Sequence, residues 1–372
     1  MTSRIRLFTK RFFIFLNVVV VIFFLLSCLS PYLDPQQWWF ISFLGLGFPF
    51  LLAAVLIFMI WWLFVKRRLA LISFIALVLG WQSINVFIAF HFSDTFTQTK
   101  NPAHLRVATW NVARFIEMKR NSNAGSRTRL RMMEQIQAVN ADILCLQEFF
   151  HSGAPDWYPN LTYISRNFKY PYFYFSHDND GDNHFTGSVI FSKFPIIDSG
   201  LIRYPRPTLA ESLMHADIKY RDDTIRVYTT HLQSLQFKPS DYEKIDHIKG
   251  GEDGIVDNSK TIFSKLRTGV YYRKIQTDII QQVLGDSPYP KLFCADLNDV
   301  PNSYTYFSVR DDMQDAFLKK GTGIGRTFSA LSPTLRIDYI FADDRFRIHS
   351  FKRIVKGYSD HYMLVSDIEF LK

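Results

Sequence analysis

The sequence predicts an α/β protein of two packed sheets flanked by helices, preceded by three transmembrane helices. Three observations predict it. Three long apolar runs fill most of residues 1–92. Beyond them, short apolar strand-like runs recur with few helical patterns between them, which suits two stacked sheets. Five of those runs end in polar groups: Trp110-Asn111, Gln147-Glu148, Thr230-His231, Asp296-Leu297-Asn298 and Ser359-Asp360-His361. A polar side chain directly after a strand stands at the rim of a sheet. This set suits one task, holding a hard divalent cation and a phosphate while a water is activated.

Phe12–Leu29 is a run of 18 uncharged residues, Trp38–Val65 is longer, and Leu69–Phe92 carries only a few polar groups such as Gln82, Ser83 and Asn85. A bilayer core of about 30 Å needs about 20 helical residues, and none of the three runs has a polar face for water. Arg4, Arg6, Lys10 and Arg11 precede the first run and Lys66, Arg67 and Arg68 separate the second from the third, whereas Pro31–Gln37 between the first two has no Lys or Arg. The positive-inside rule then places the N-terminus and residues 66–68 in the cytoplasm. The expected product is a multi-pass protein of the cytoplasmic membrane, with the remainder periplasmic or extracellular. A cleaved signal peptide is the rival for the first run, whose apolar stretch is long for one. Leu25-Leu26-Ser27-Cys28 only faintly resembles a lipoprotein cleavage site.

Residues 1–92 are thus an anchor, 93–103 a polar linker and 104–372 a soluble domain. In that domain strands are expected over Leu105–Trp110, Asp142–Gln147, Tyr172–Ser176, Ser188–Ser192, Glu211–Lys219, Thr224–Thr230, Lys291–Ala295, Arg336–Phe341 and Met363–Glu369. A helix is expected over Arg127–Val139, where Leu130, Met133, Ile136 and Val139 recur at steps of three. Residues 236–287 form a long excursion after His231. It holds a short helix over Asp241–Ile248, a loop at Gly250–Gly254, and a helical pattern over Ser259–Leu284 weakened by Gly269 and Val270. It reads either as an ordinary helix covering the sheet or as a lid or membrane-facing element.

The chain's net charge is +9, but residues 1–100 hold eight Lys/Arg against two Asp/Glu, and residues 101–372 hold 35 against 32. The domain is therefore nearly balanced, and charge gives little support to nucleic-acid binding. Cys28, Cys145 and Cys294 sit in apolar runs, with no spacing for a zinc site or a disulfide framework.

Taken in order, Trp110-Asn111, Gln147-Glu148, Thr230-His231-Leu232, Ala295-Asp296-Leu297-Asn298, Arg336-Ile337-Asp338-Tyr339 and Ser359-Asp360-His361 resemble the endonuclease/exonuclease/phosphatase superfamily over roughly residues 104–372. Ala295 stands where that family usually has Gly. The resemblance implies a four-layer α/β sandwich and a divalent metal, usually Mg²⁺, with Mn²⁺ as a substitute. Mg²⁺ needs only one or two protein carboxylates because it keeps several waters. Glu148 is the expected direct ligand, with Asn111 through its amide oxygen and Asp360 as second ligand or outer partner. Asp296 is expected to orient or deprotonate the attacking water. Asn298 shares that water or the phosphate if the strand geometry persists, since i and i+2 then face one side; by itself, Asp296-Leu297-Asn298 reads as an Asx-turn. His361 is a proton-transfer group or a cation for the phosphate, with Asp338 as the partner the resemblance implies. His231 is expected to reach the phosphate as acid or donor. His184, ahead of a strand, is a candidate substrate contact, and Glu211 a candidate supporting carboxylate.

The expected activity is hydrolysis of a phosphodiester or phosphomonoester by in-line attack of water. The substrate reads as a phospholipid or sphingolipid head group beside the bilayer, or alternatively as extracellular nucleic acid. No protein partner is expected. A non-catalytic binding protein on the same fold would show decayed motifs.

Overall fold

The computed structural model describes residues 3–92, 96–120, 127–205, 212–235, 237, 240–241, 243–245 and 255–371. It falls into two compact units. One comprises residues 1–88, 236–274 and 300–308, the other residues 89–235, 275–299 and 309–372.

The first unit begins with α1 (Ser3–Cys28), α2 (Trp39–Leu46), α3 (Phe48–Val65), α4 (Arg67–Leu79) and α5 (Trp81–Phe87). α1 and α3 are long and apolar enough to cross a membrane. They run antiparallel, with Phe13 beside Trp61 at one end and Phe24 stacked on Phe48 at the other. That arrangement also brings Lys10 beside Lys66, so basic residues gather at one end of the pair. The second expected span is not one helix. It breaks at Gly47, and Pro49 lies in the first turn of α3, where its missing N–H has no intrahelical partner to lose. The third is not continuous either. α4 and α5 are bent by 65° at Gly80, and residues 89–90 already belong to a strand. A Cβ on Gly80 would lie 2.6 Å from the Phe24 ring, so the bare backbone lets the break sit against α1. Ser73 donates a hydrogen bond to buried Asn17 at 3.0 Å and joins α4 to α1, the kind of polar contact that holds helices together in lipid.

The excursion resolves into one 31-residue helix, Ile255–Gly285, so Gly269 and Val270 do not break it. Its front half lies in the first unit, where Phe263 meets Phe43, Arg267 covers Trp39, and Gln36 donates to the Tyr271 carbonyl at 3.4 Å. Its rear half belongs to the second unit and buries Ile280 and Leu284. The helix is therefore part cover for the sheets and part companion of the apolar helices. Of the expected short helix at 241–248, residues 240–241 and 243–245 are helical. The Gly250–Gly254 loop and Glu211 lie outside the described residues.

The strands, in chain order, are β1 (Ala89–Phe90), β2 (Leu105–Asn111), β3 (Ile143–Ser152), β4 (Tyr172–Phe175), β5 (Asp178–Asn179), β6 (His184–Ser192), β7 (Ile196–Arg203), β8 (Ser212–Tyr220), β9 (Asp223–His231), β10 (Lys291–Asp296), β11 (Gln314–Asp315), β12 (Thr322–Gly323), β13 (Asp338–Ala342), β14 (Phe346–Ile354) and β15 (Met363–Phe370). One sheet runs β14-β15-β2-β3-β6-β4, with β5 beside β6; the other runs β11-β13-β10-β9-β8-β7. Val107, Ile143 and Ile190 of the first interleave with Met214, Val227 and Cys294 of the second in one core. A second core packs Met133, Ile136 and Ile164, from helices α6 (Thr128–Val139) and α7 (Asn160–Asn167), on the outer face of the first sheet. Nine strands and α6 lie where the sequence predicts them. β1, β5, β7, β11, β12, β14 and α7 are among the additions.

Candidate active site

Two rows of side chains meet at one rim. In the second sheet Asp296 is in register with His231 on its parallel neighbour and with Asp338 on its antiparallel neighbour. In the first, Asn111 is in register with Gln147, and Glu148 follows at once. Directly below, the Gln147 amide donates to Thr109 at 3.0 Å and to Thr229 of the other sheet at 2.9 Å. The two rims are thereby tied by buried hydrogen bonds.

Glu148 is aimed by a β-bulge. Between the Leu146–Val189 and Phe149–Gly187 pairs, two residues of β3 face one of β6, and Glu148 takes a left-handed φ of 47°. Asn111, fully buried, bridges the two acids: its amide nitrogen donates to Glu148 Oε1 and to Asp296 Oδ2, each at 3.0 Å. Its amide oxygen accepts from the Ala113 N–H. One lone pair of the expected ligand oxygen is thus engaged, while the amide nitrogen holds the two carboxylates together.

His361 Nδ1 lies 3.0 Å from both oxygens of Asp338, and its Nε2 lies 3.7 Å from Asp296 Oδ2. Burial alone would depress this imidazole, but Asp338, Asp296 and Asp360 push it up to about 10, so it is cationic at neutral pH. Trp110 Nε1 donates to the His361 backbone carbonyl at 2.9 Å and holds its main chain, and the Phe328 ring stands 4.9 Å from the imidazole. His231 Nε2 lies 3.6 Å from Asp296 and 3.7 Å from Glu148. Burial and the neighbouring Asp338 charge raise Asp296, against the pull of His361, His231 and the Asn111 amide. Burial also opposes ionisation of Glu148, but His231, Asn111, His361 and Arg114 outweigh it and hold the carboxyl low.

Three further expected positions are placed as follows. β10 ends at Asp296, and Asn298 has φ 50° with its N–H on Asp296 Oδ1 at 2.9 Å, an Asx-turn. The pair therefore does not project to one side; the Asn298 amide instead donates to the Leu232 carbonyl and ties the loops after β9 and β10 together. Asp360 is exposed, with its carboxylate accepting from Ser359. His184 bonds Ser152 at 2.8 Å and packs on Trp157 at 4.1 Å. Ser152 lies four strand residues beyond Glu148, roughly 13 Å away, so His184 lies outside the Asn111–Glu148–Asp296–His361 cluster.

The donors fit a divalent cation. Glu148 is ionised and half-exposed, and Asp296, Asp338 and His361 form a buried cluster with ligand atoms within 4.8 Å of one another. Within that cluster, the Asp338–His361 pair is already satisfied internally. Glu148 and the Oδ2 side of Asp296, joined by Asn111, are the better metal-facing oxygens.

Sequence comparison agrees with this geometry. Residues 108–361 match the Endonuclease/Exonuclease/phosphatase family. The chain belongs to the Endonuclease/Exonuclease/phosphatase family. It is accordingly an enzyme, a metal-dependent hydrolase of phosphate esters. Residues 10–87 match a domain of unknown function (DUF8431). Nothing matches among curated proteins. Among solved structures, the chain is similar to an endonuclease/exonuclease/phosphatase from Beutenbergia cavernae, at 20% identity, TM-score 0.52 and 72% coverage of both chains. It is also similar to D. rerio TDP2 humanized by 14 mutations, at 15% identity and TM-score 0.51, covering 72% of this chain and 99% of that one. These likenesses are of fold.

Arg114, Thr327 and Phe328 escape sequence reasoning. Arg114 and Phe328 sit in irregular loops whose residue types carry no signal. Arg114 is the second of four consecutive positive-φ residues, Ala113 to Ile116, that begin two positions after Asn111, and it pairs with Asp180 at 3.1 Å. Thr327 accepts the N–H groups of Ile337 and Asp338 and so seats the His361 partner.

Proposed function

We propose that this protein is a membrane-anchored, Mg²⁺-dependent phosphodiesterase acting on the head-group phosphate of a membrane lipid. The observation that carries the chemistry is the Asn111 amide joining Glu148 to Asp296 beside a cationic His361. Asp296, held by Asn111 and by the Asn298 N–H, orients the attacking water and takes its proton; its raised pKa makes it a better base than an ordinary carboxylate. His361, fixed on Asp338, holds its positive charge against the non-bridging phosphate oxygens. His231, at the same oxygen of Asp296, donates toward the phosphate or the leaving oxygen. Water attacks in line, one P–O bond forms, the opposite one breaks, and the leaving oxygen gains a proton. Mg²⁺, or Mn²⁺ in its place, held on Glu148, would neutralise the charge that develops on the phosphoryl group. Asp360 then acts from outside as part of the acidic field around His361. His184 and Trp157 form an outer contact for the organic part of the substrate.

The lipid reading rests on the apolar helices and on the near-neutral charge of residues 101–372. A tether at the bilayer raises the local concentration of lipid, and a domain so nearly balanced in charge gives little steering toward a polyanion. The deciding measurement compares the full chain in micelles on mixed phospholipid and sphingolipid vesicles with its action on DNA, each with Mg²⁺ and with EDTA. Chelator-sensitive release of head groups or phosphate supports the proposal, with Asp296→Asn and His361→Ala each lowering kcat by about 10²-fold or more. Hydrolysis of DNA alone would transfer the reading to a nuclease outside the cell, and wild-type rates in both variants would refute the site.

A further inference from the structure

A second group of metal-ligating side chains lies at the opposite end of the first sheet. His104 immediately precedes β2, His349 is on β14, and Glu369 is on β15. β2 and β14 flank β15, so three neighbouring strand positions supply the three groups. The registers explain how they meet. Leu105 pairs with Ile368, which sets His104 one step beyond, alongside Glu369. The β14–β15 register shifts between Ile348 and Ser350, so His349 is the extra residue of a bulge that re-aims its ring. His349 Nε2 lies 2.9 Å from Glu369 Oε2, and the His104 and His349 rings lie 3.9 Å apart at 14°. One ligand atom from each residue lies within 4.8 Å of the others. Arg347 approaches the same Glu369 oxygen at 3.5 Å, but its side chain is 62% exposed and has room to leave.

We propose that His104, His349 and Glu369 bind a zinc-class divalent cation separate from the catalytic metal. Two imidazoles and one carboxylate are borderline donors that suit Zn²⁺, Ni²⁺ or Co²⁺, whereas Mg²⁺ favours oxygen. Bonds of about 2.0–2.1 Å in a tetrahedral site put ligand atoms roughly 3.3 Å apart. The His349–Glu369 pair already meets that spacing, and the widest pair closes by rotation of half-exposed imidazoles. Three protein donors leave the fourth position to water. Asn111 lies six residues along β2 from Leu105, about 20 Å at strand rise, so this site and the catalytic rim are independent. A bound ion would clamp the point where the linker enters the sheet to the C-terminal hairpin, joining residues 245 and more positions apart.

The test uses the full chain in micelles with saturating Mg²⁺, titrated with Co²⁺ as optical probe and with Zn²⁺ in thermal melts. Wild type should take up one equivalent of Co²⁺ with a visible d–d band. Its Tm should rise by roughly 5 °C when free Zn²⁺ is about 100 Kd. His349→Ala and Glu369→Gln should each lose both responses while hydrolysis of bis-p-nitrophenyl phosphate with Mg²⁺ stays within about twofold; that retained activity shows the variants are folded. Glu148→Gln should keep the band. A band that survives His349→Ala, a band abolished by Glu148→Gln, or a wild type without either response would overturn the site.

Discussion

At the residue scale, the His361–Asp338 pair sets the charge of the catalytic centre. An unfolded histidine titrates near 6.5, whereas the carboxylates around His361 bring it to about 10. The folded protein therefore binds this proton more tightly than the unfolded chain does. The stability this provides is complete below about pH 6.5 and is lost as the pH rises through about 10. In metal-free protein, the Tm of wild type should fall between those values by more than that of Asp338→Asn, because the amide no longer holds the proton on His361. Melts with EDTA across that range measure the difference, and parallel curves would remove the pair as its source. The same substitution should lower kcat by about 10²–10⁴-fold, since it releases the ring from its orientation as well as its charge. Asn111 works through geometry and not through charge. It donates to two acids that would otherwise repel at the rim, so Asn111→Ala should impair turnover more than a lost ligand oxygen would suggest.

At the scale of elements, the bulge in β3 does more for the site than any strand. Gly187 faces it across the ladder with φ 126°, and a Cβ there would fall on the Ser176 hydroxyl and within 2.5 Å of Asp178. Gly187→Ala should cost about 2–4 kcal/mol through strain and collision. It should also depress activity at temperatures where the protein remains folded, because the aim of Glu148 follows the bulge. Melting and kcat measured on the same preparation check both; a variant that loses stability but keeps full kcat would separate Glu148 from the bulge. The bulge also shows where sequence reading ends. Strand ends and the residues on them were legible, since apolar runs followed by Asn, Glu, Asp or His mark a rim directly. Bulges and turns are not legible, because a single extra residue leaves composition unchanged while it redirects a side chain. β14 was hidden for this reason: Phe346 and Ile348 alternate, but the bulge at His349 shifts the phase to Phe351. The Asx-turn at Asn298 replaced an expected strand extension because Asp296 finds its own backbone donor two residues on. Apolar content revealed the long apolar runs but not the breaks at Gly47 and Gly80, the second of which sits against Phe24 of α1.

At the scale of the whole chain, the order of contacts within the first unit constrains how a membrane would be crossed. The loop at residues 30–38 follows α1, and the long helix touches it through Gln36 and touches the start of α2 through Trp39. In a membrane, loop and helix would share one side. Among the described residues, no helix after the bent α4–α5 pair is long and apolar enough to cross a membrane. An α3 that crosses would carry the chain away from that side, and a further crossing by the bent α4–α5 pair would return it there by Phe87. If the bent pair is one span it makes a third crossing, and the positive-inside rule would then put the basic residues at 66–68 and at the N-terminus on the cytoplasmic side. Single cysteines test this in a Cys28→Ser background, where Cys145 and Cys294 are buried. Gln37→Cys and Asp222→Cys, both at exposed positions, should react with a membrane-impermeant maleimide added to intact cells. Arg67→Cys should react only after the membrane is opened. Labelling of Gln37→Cys and Asp222→Cys from opposite sides would show that α4 and α5 turn back within the bilayer, and the catalytic sheets would then face the cytoplasm.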